Sequence, residues 1–142
     1  MMRKHMLLLA LVATNGCVAG PLPQVDPNMA WVDLAAPMPG GKLLMAESLD
    51  GKKSTDGRFF QVTPGSHELK VRFDFEVFTG GGIGIQGTPQ ERLCYMLVPY
   101  GHFEAGQRYR LEARNLAFSA SARLYNAKRE IVAEDRQVNC VP

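Results

Sequence analysis

The chain holds little of what redox and metal chemistry requires. Its 142 residues include 3 cysteines, 3 histidines and 1 tryptophan. The cysteines are Cys17, Cys94 and Cys140, too scattered for a CxxC motif or a zinc-type Cys/His spacing. No metal and no cofactor is therefore expected. A Walker-type GK[ST] is also missing. A formal GxGxxG does occur at Gly82, Gly84 and Gly87, but Thr88-Pro89 follows it. A dinucleotide site needs the N-terminus of a helix at that point. Charge of one sign is scarce as well. Without the first sixteen residues, and hence Arg3 and Lys4, 14 Lys+Arg would face 14 Asp+Glu. A neutral body of this kind argues against a nucleic-acid partner. Finally, no apolar run approaches the roughly 20 residues of a bilayer-spanning helix.

What the chain does have begins at its start. Arg3, Lys4 and His5 form a short basic stretch, Met6 to Ala13 (MLLLALVA) a compact apolar one, and Thr14-Asn15-Gly16 leads to Cys17. A basic region, a short apolar region and a small residue before a cysteine make an export signal. This start resembles the signal of bacterial lipoproteins. The resemblance implies cleavage before Cys17, with residues 1–16 as signal peptide and Cys17 as the lipidation site. Several acyl chains on one cysteine give stable membrane attachment where a single chain does not. Val18, and not Asp, follows the cysteine, which in Gram-negative lipoproteins implies the outer membrane. Thr14 and Asn15 depart from the Leu and the Ala or Ser usual at those positions. Cys17-Val18-Ala19 also offers a small-x-small site for ordinary signal peptidase, which would leave Gly20 first and the protein soluble.

Residues 17–28 form the lipidated cysteine and a Pro-rich tether; Gly20 to Asn28 (GPLPQVDPN) alone holds three prolines. Residues 29–142 read as one domain. Short strands are expected at Ala30–Leu34, Lys42–Ser48 and Arg58–Thr63, with turns at Asp50-Gly51 and Asp56-Gly57. The clearest pattern is Ser66–Phe78. There His67, Leu69, Val71, Phe73, Phe75 and Val77 alternate with Glu68, Lys70, Arg72, Asp74 and Glu76. A period of two with charges on alternate residues means one packed face and one wet face. Glu91–Val98 is apolar on both faces and suits a central strand. Arg108–Arg114 alternates again, with Tyr109, Leu111 and Ala113 inside and Glu112 outside. Phe118–Tyr125 follows, with Phe118 inside. Glu130–Cys140 is the last strand, its mixed pattern suggesting a bulge. The result is an all-β chain, a single β-sandwich of Ig-like or transthyretin-like type with about eight strands.

Val62-Thr63-Pro64-Gly65-Ser66-His67-Glu68-Leu69-Lys70-Val71 is similar to the PG-x-H-x-L-x-V stretch of PEGA-type domains, small extracytoplasmic β-sandwich modules of bacterial surface proteins. The segment from Phe103 to Leu111 is similar to the G-x-x-Y-x-L opening of a late strand in small periplasmic lipoproteins. These resemblances imply architecture and a cell-envelope setting.

An exported domain whose remaining cysteines are Cys94 and Cys140 is expected to pair them, because its compartment is oxidising. The glycine-rich stretch, with Gly80, Gly81, Gly82, Gly84 and Gly87, is expected to be a loop between two long strands and a possible partner contact. If the two late strands form a hairpin through Asn115-Leu116-Ala117, then Arg108, Arg110, Arg114 and Arg123 share one outer face with Tyr125. Such a face suits a phosphate, a carboxylate or an anionic glycan; a solvated sheet face is the plainer reading. No catalytic residue is expected. Ser66, His67 and Glu68 are strand neighbours whose side chains face opposite ways. His67 is expected at the edge of the core and His102 in a loop. The expectation is a non-enzymatic outer-membrane lipoprotein. It would be lipid-anchored and face the periplasm, where it would bind or scaffold a protein or glycan of the envelope. The alternative is a soluble periplasmic ligand-binding protein or inhibitor.

Overall fold

The computed structural model describes residues 20–38, 40–80 and 87–142. Cys17, the signal segment and Gly81, Gly82 and Gly84 lie outside them. The strands are β1 (Ala30–Ala35), β2 (Gly41–Leu49), β3 (Lys52–Lys53), β4 (Phe59–Val62), β5 (Gly65–Thr79), β6 (Thr88–Phe103), β7 (Arg108–Leu116), β8 (Ser119–Tyr125), β9 (Ile131–Glu134) and β10 (Gln137–Val141). They build two five-stranded sheets, β4-β1-β7-β8-β9 and β10-β6-β5-β2-β3. Among the described residues no helix is present, and β1–β7 is the parallel pair in an otherwise antiparallel pairing.

The two sheets face each other through the alternating apolar residues. One sheet contributes Leu69, Val71, Phe73 and Phe75 of β5 and Cys94, Met96 and Val98 of β6. The other contributes Val32, Phe60, Val62, Tyr109, Leu111, Ala113, Ala122 and Leu124. Burying each large side chain contributes roughly 1.5–3 kcal/mol. The architecture is thus the all-β sandwich expected from the alternation. Cys94 and Cys140 are bonded, with an S–S distance of 2.01 Å, directly across the β6–β10 pair. This ties the last strand to the long central one.

Several boundaries differ from expectation. β6 is 16 residues long because it pairs with β5 from Phe103 back to Thr88, with one register shift between Phe103 and Tyr100. His102 therefore lies on a strand, not in a loop. The outer face of β6 (Leu93, Tyr95, Leu97) is only half-buried, since no further layer covers it. The expected final strand is two strands in different sheets. The Asp135 amide donates to Ala122 O of β8 at 3.0 Å, whereas the next amide, Arg136, donates to Leu97 O of β6 at 2.8 Å. The mixed pattern marks this crossing together with the expected irregularity: Leu124 pairs with Ala133 but Tyr125 with Ile131, which leaves Val132 as the extra residue in β9. The β7–β8 hairpin turns at Ala117-Phe118, since Leu116 pairs with Ser119. Phe118 consequently sits at the tip, 38% exposed, and not in the core.

β1 and β7 run the same way, so the β1–β2 connection and the β7–β8 hairpin lie at one end of the sandwich. The β5–β6 hairpin lies there too. Gly41, which opens β2, pairs with Phe75, and the Arg92 guanidinium carbon is 5.2 Å from the Phe118 ring centroid. This is the hairpin end. At the other end are the β2–β3 turn, the Thr63-Pro64 corner into β5, and the β6–β7 and β8–β9 turns. The tether does not simply lead away. A turn at Asp26–Met29, closed by the Met29 amide on Asp26 O at 3.1 Å, reverses it, and Arg58 donates to Gly20 O at 2.7 Å. Arg58 lies next to Phe59, which pairs with Asp33, so the segment runs back along β1 and β4 toward the hairpin end.

Candidate functional site

The register of β7 and β8 gathers the arginines. Arg110 pairs with Tyr125, Glu112 with Arg123 and Arg114 with Ser121. Residues opposite one another in an antiparallel pair share a face. Arg108 joins them from the start of β7, beside β1. The sequence-derived set Arg108, Arg110, Arg114, Arg123 and Tyr125 is therefore brought together on the outer face of one sheet.

At its centre is a residue that the alternation places on this face but that solvent barely reaches. The Glu112 side chain is 2% exposed. Arg110 donates to Glu112 Oε1 at 3.0 Å, Arg129 to the same oxygen at 3.1 Å, and Arg114 to Oε2 at 3.2 Å. Burial alone would push the Glu112 carboxyl up; the guanidiniums of Arg129 and Arg114 outweigh it and hold the group below the usual carboxylate range. Arg129 comes from the β8–β9 turn, where its φ is 65°, and lies 4.9 Å from the Tyr125 ring centroid. Its position follows from the turn, so no strand periodicity announces it.

The flanks are also paired. Arg108 makes two bonds to Asp33, at 2.6 and 2.9 Å, and these hold the Asp33 carboxyl below its ordinary value. Asp33 in turn accepts the Trp31 indole N–H at 2.9 Å, and Trp31 stacks on Phe59 with centroids 4.2 Å apart. Arg123 meets Glu134 at 3.4 Å. Across the face, five guanidiniums (Arg108, Arg110, Arg114, Arg123, Arg129) meet three carboxylates (Asp33, Glu112, Glu134). Positive charge is left over, and Arg114 Nε is buried without a partner. A planar, bidentate anion is the chemistry such forks accept.

His67 is better connected than its sequence neighbours suggest. Its Nδ1 is 2.5 Å from Asp50 Oδ2, and its Nε2 is 2.7 Å from Thr63 O and 3.0 Å from Thr63 Oγ1. The carbonyl of Thr63 needs a proton on Nε2, which leaves no lone pair to activate the hydroxyl. The row Asp50–His67–Thr63 is a clamp joining the β2–β3 turn to the corner before β5. Burial pushes the Asp50 carboxyl up, but the bonds from His67 and from the Glu68 amide prevail and lower it. Asp50 carries the positive φ of 51° that an Asp-Gly turn allows.

Gly80 and Gly87 bracket the β5–β6 hairpin, and Thr88 opens a strand after Gly87. No group of three or more His, Cys, Asp or Glu residues able to hold a metal occurs among the described residues. No helix among them is long and apolar enough to cross a membrane. Comparison with known proteins adds no relative: no family model, no curated protein and no solved structure matches the chain.

Proposed function

We propose that this chain is a non-enzymatic lipoprotein of the outer membrane. Its periplasmic sandwich binds an anionic component of the envelope through the arginine-lined face. The surplus of guanidinium over carboxylate around Glu112 is the observation that carries the binding reading. The Cys94–Cys140 bond supports an exported setting, since structural disulfides persist in oxidising compartments. The PEGA-like stretch agrees with that setting, and the export signal with its Cys17 supplies the anchor.

Two measurements test this. The intact mass of protein purified from membranes of its native host should correspond to a chain starting at Cys17 with added acyl mass. A chain starting at Gly20 without lipid would replace the anchored module with a soluble periplasmic binder. Capture of anionic envelope glycan or protein should fall about a hundredfold in the double variant Arg110→Ala, Arg123→Ala, the size expected when two charge-assisted bonds of roughly 1.5 kcal/mol each are lost. Unchanged capture would overturn the binding face.

A further inference from the structure

Six of the nine large apolar residues that are more than a third exposed among the described residues gather in one region; the others are Leu22 and Val25 in the tether and Ile131 near the opposite end. Leu116 is 85% and Phe78 71% exposed, and Met38, Leu43, Val141 and Phe118 are each more than a third exposed. All six lie at or just behind the hairpin end. Met38 is in the β1–β2 connection, Phe78 closes on Pro89 near the tip of β5–β6, and Leu116 and Phe118 form the tip of β7–β8. Two of these hairpins protrude. Phe78 is three residues beyond the Gly41–Phe75 pair, and Leu116 four beyond the Ala35–Glu112 pair, or about 10 and 13 Å at strand spacing. The opposite end instead presents Lys52, Lys53, His102, Glu104, Lys128 and Glu130 to solvent.

The same end carries an available cation. Arg92 has no carboxylate within ion-pair distance among the described residues; its Nε is buried without a partner and its guanidinium lies over Phe118. Beside it, a cleft of about 420 Å³ is lined by Leu43, Leu93 and Val141 and by the ion pairs Lys42–Glu91 and Arg72–Asp74. An apolar tip with a cation just behind it is the arrangement of an interfacial membrane contact.

The chain outside the structure points to the occupant. Because Arg58 holds Gly20, the described part of the tether is laid back along β1 and β4 and ends beside Arg58, on the hairpin side of the Asp33–Phe59 pair. Cys17 is three residues further, within about 10 Å of Gly20 at full extension. We propose that the hairpin end rests on the lipid surface. Leu116, Phe118 and Phe78 enter the headgroup–acyl boundary, and Arg92 meets lipid phosphate. This rests on Cys17 being the anchor, and it sets the orientation of the body and with it the direction in which the arginine face looks.

The test uses the full chain, purified from host membranes and reconstituted into vesicles of phosphatidylcholine brominated in the acyl chains. Native Trp31 is 1% exposed and lies in the half of β1 away from the tip, so it serves as internal reference. Leu116→Trp places a reporter at the tip. Ile131→Trp, at a residue 48% exposed near the opposite end, is the control. The expected result is loss of about half or more of the added emission in Leu116→Trp and none in Ile131→Trp, since interfacial apolar groups sit roughly 5–10 Å deep. Protein that carries acyl mass and floats with the vesicles, but whose Leu116→Trp emission is not quenched, would overturn the inference and leave the anchor standing. Protein that starts at Gly20 without acyl mass would overturn the anchor. Quenching at the tip would then still uphold the lipid contact, and its absence would end it.

Discussion

Glu112 sits beneath guanidinium groups that are themselves roughly half open to water. Removing one partner of a buried pair costs about 3–5 kcal/mol. Solvent screening of the exposed arginines reduces this, so Glu112→Gln should cost about 2 kcal/mol by urea denaturation at neutral pH. The sign with pH follows from the lowered carboxyl. The contribution is complete above the unfolded-state value of about 4.3 and is lost as pH falls through that value and then the folded one. The gap between wild type and Glu112→Gln should therefore close in acid; a gap independent of pH would contradict the ion-pair account. Alternation in β7 was enough to assign Glu112 to the outer face. It could not show that long side chains from i±2 and from a turn would roof it over. The same holds for His67, whose position was legible while its partner Asp50 was visible only as a turn residue.

At the scale of elements, strands with a clean period of two were legible, and those that change sheet were not. β5 matches its expected span to within a residue at each end, because its inward positions from Leu69 to Val77 are all apolar. The Glu130–Cys140 stretch reads as one strand because nothing in Asp135-Arg136 resembles a turn. Only the amides of those two residues, bonded to opposite sheets, reveal the crossing. Asp135 also accepts the Ala122 amide through Oδ1 at 2.8 Å, which fixes the corner to β8. The second half, β10, has five residues and is held at Cys140. Closing a loop with 46 residues of sequence separation is worth about 4 kcal/mol in the chain-entropy model. Cys140→Ser should thus lower the urea midpoint sharply, and hydrogen exchange should show the β10 amides opening before those of β5. Equal midpoints would mean that β10 is held by strand pairing alone.

At the scale of the molecule, the sheet order was hidden in the sequence. β1 lies between β4 and β7, and its parallel partner Arg108 is far along the chain from Trp31, with four of the second sheet's five strands (β2, β3, β5 and β6) built between them. No local signal encodes such a pairing; it arises because both strands have one apolar face to bury against β2, β5 and β6. Topologies dominated by distant contacts fold slowly, so refolding should take between about a millisecond and a few seconds. Trp31 is the natural probe, since its stack on Phe59 forms only when β1 docks on β4. Recovery of its emission in microseconds would contradict this. The crossing at Asp135-Arg136 has a consequence for the chain as a cellular product. β9 and β10 are the outermost strands of both sheets along one side, so a single terminal ribbon hems two fabrics at once. A nascent or clipped chain ending before Ile131 would bare two strand edges together, each a template for pairing with a neighbour. Surveillance proteases would thus meet a chain that is either finished along that whole side or open in both layers.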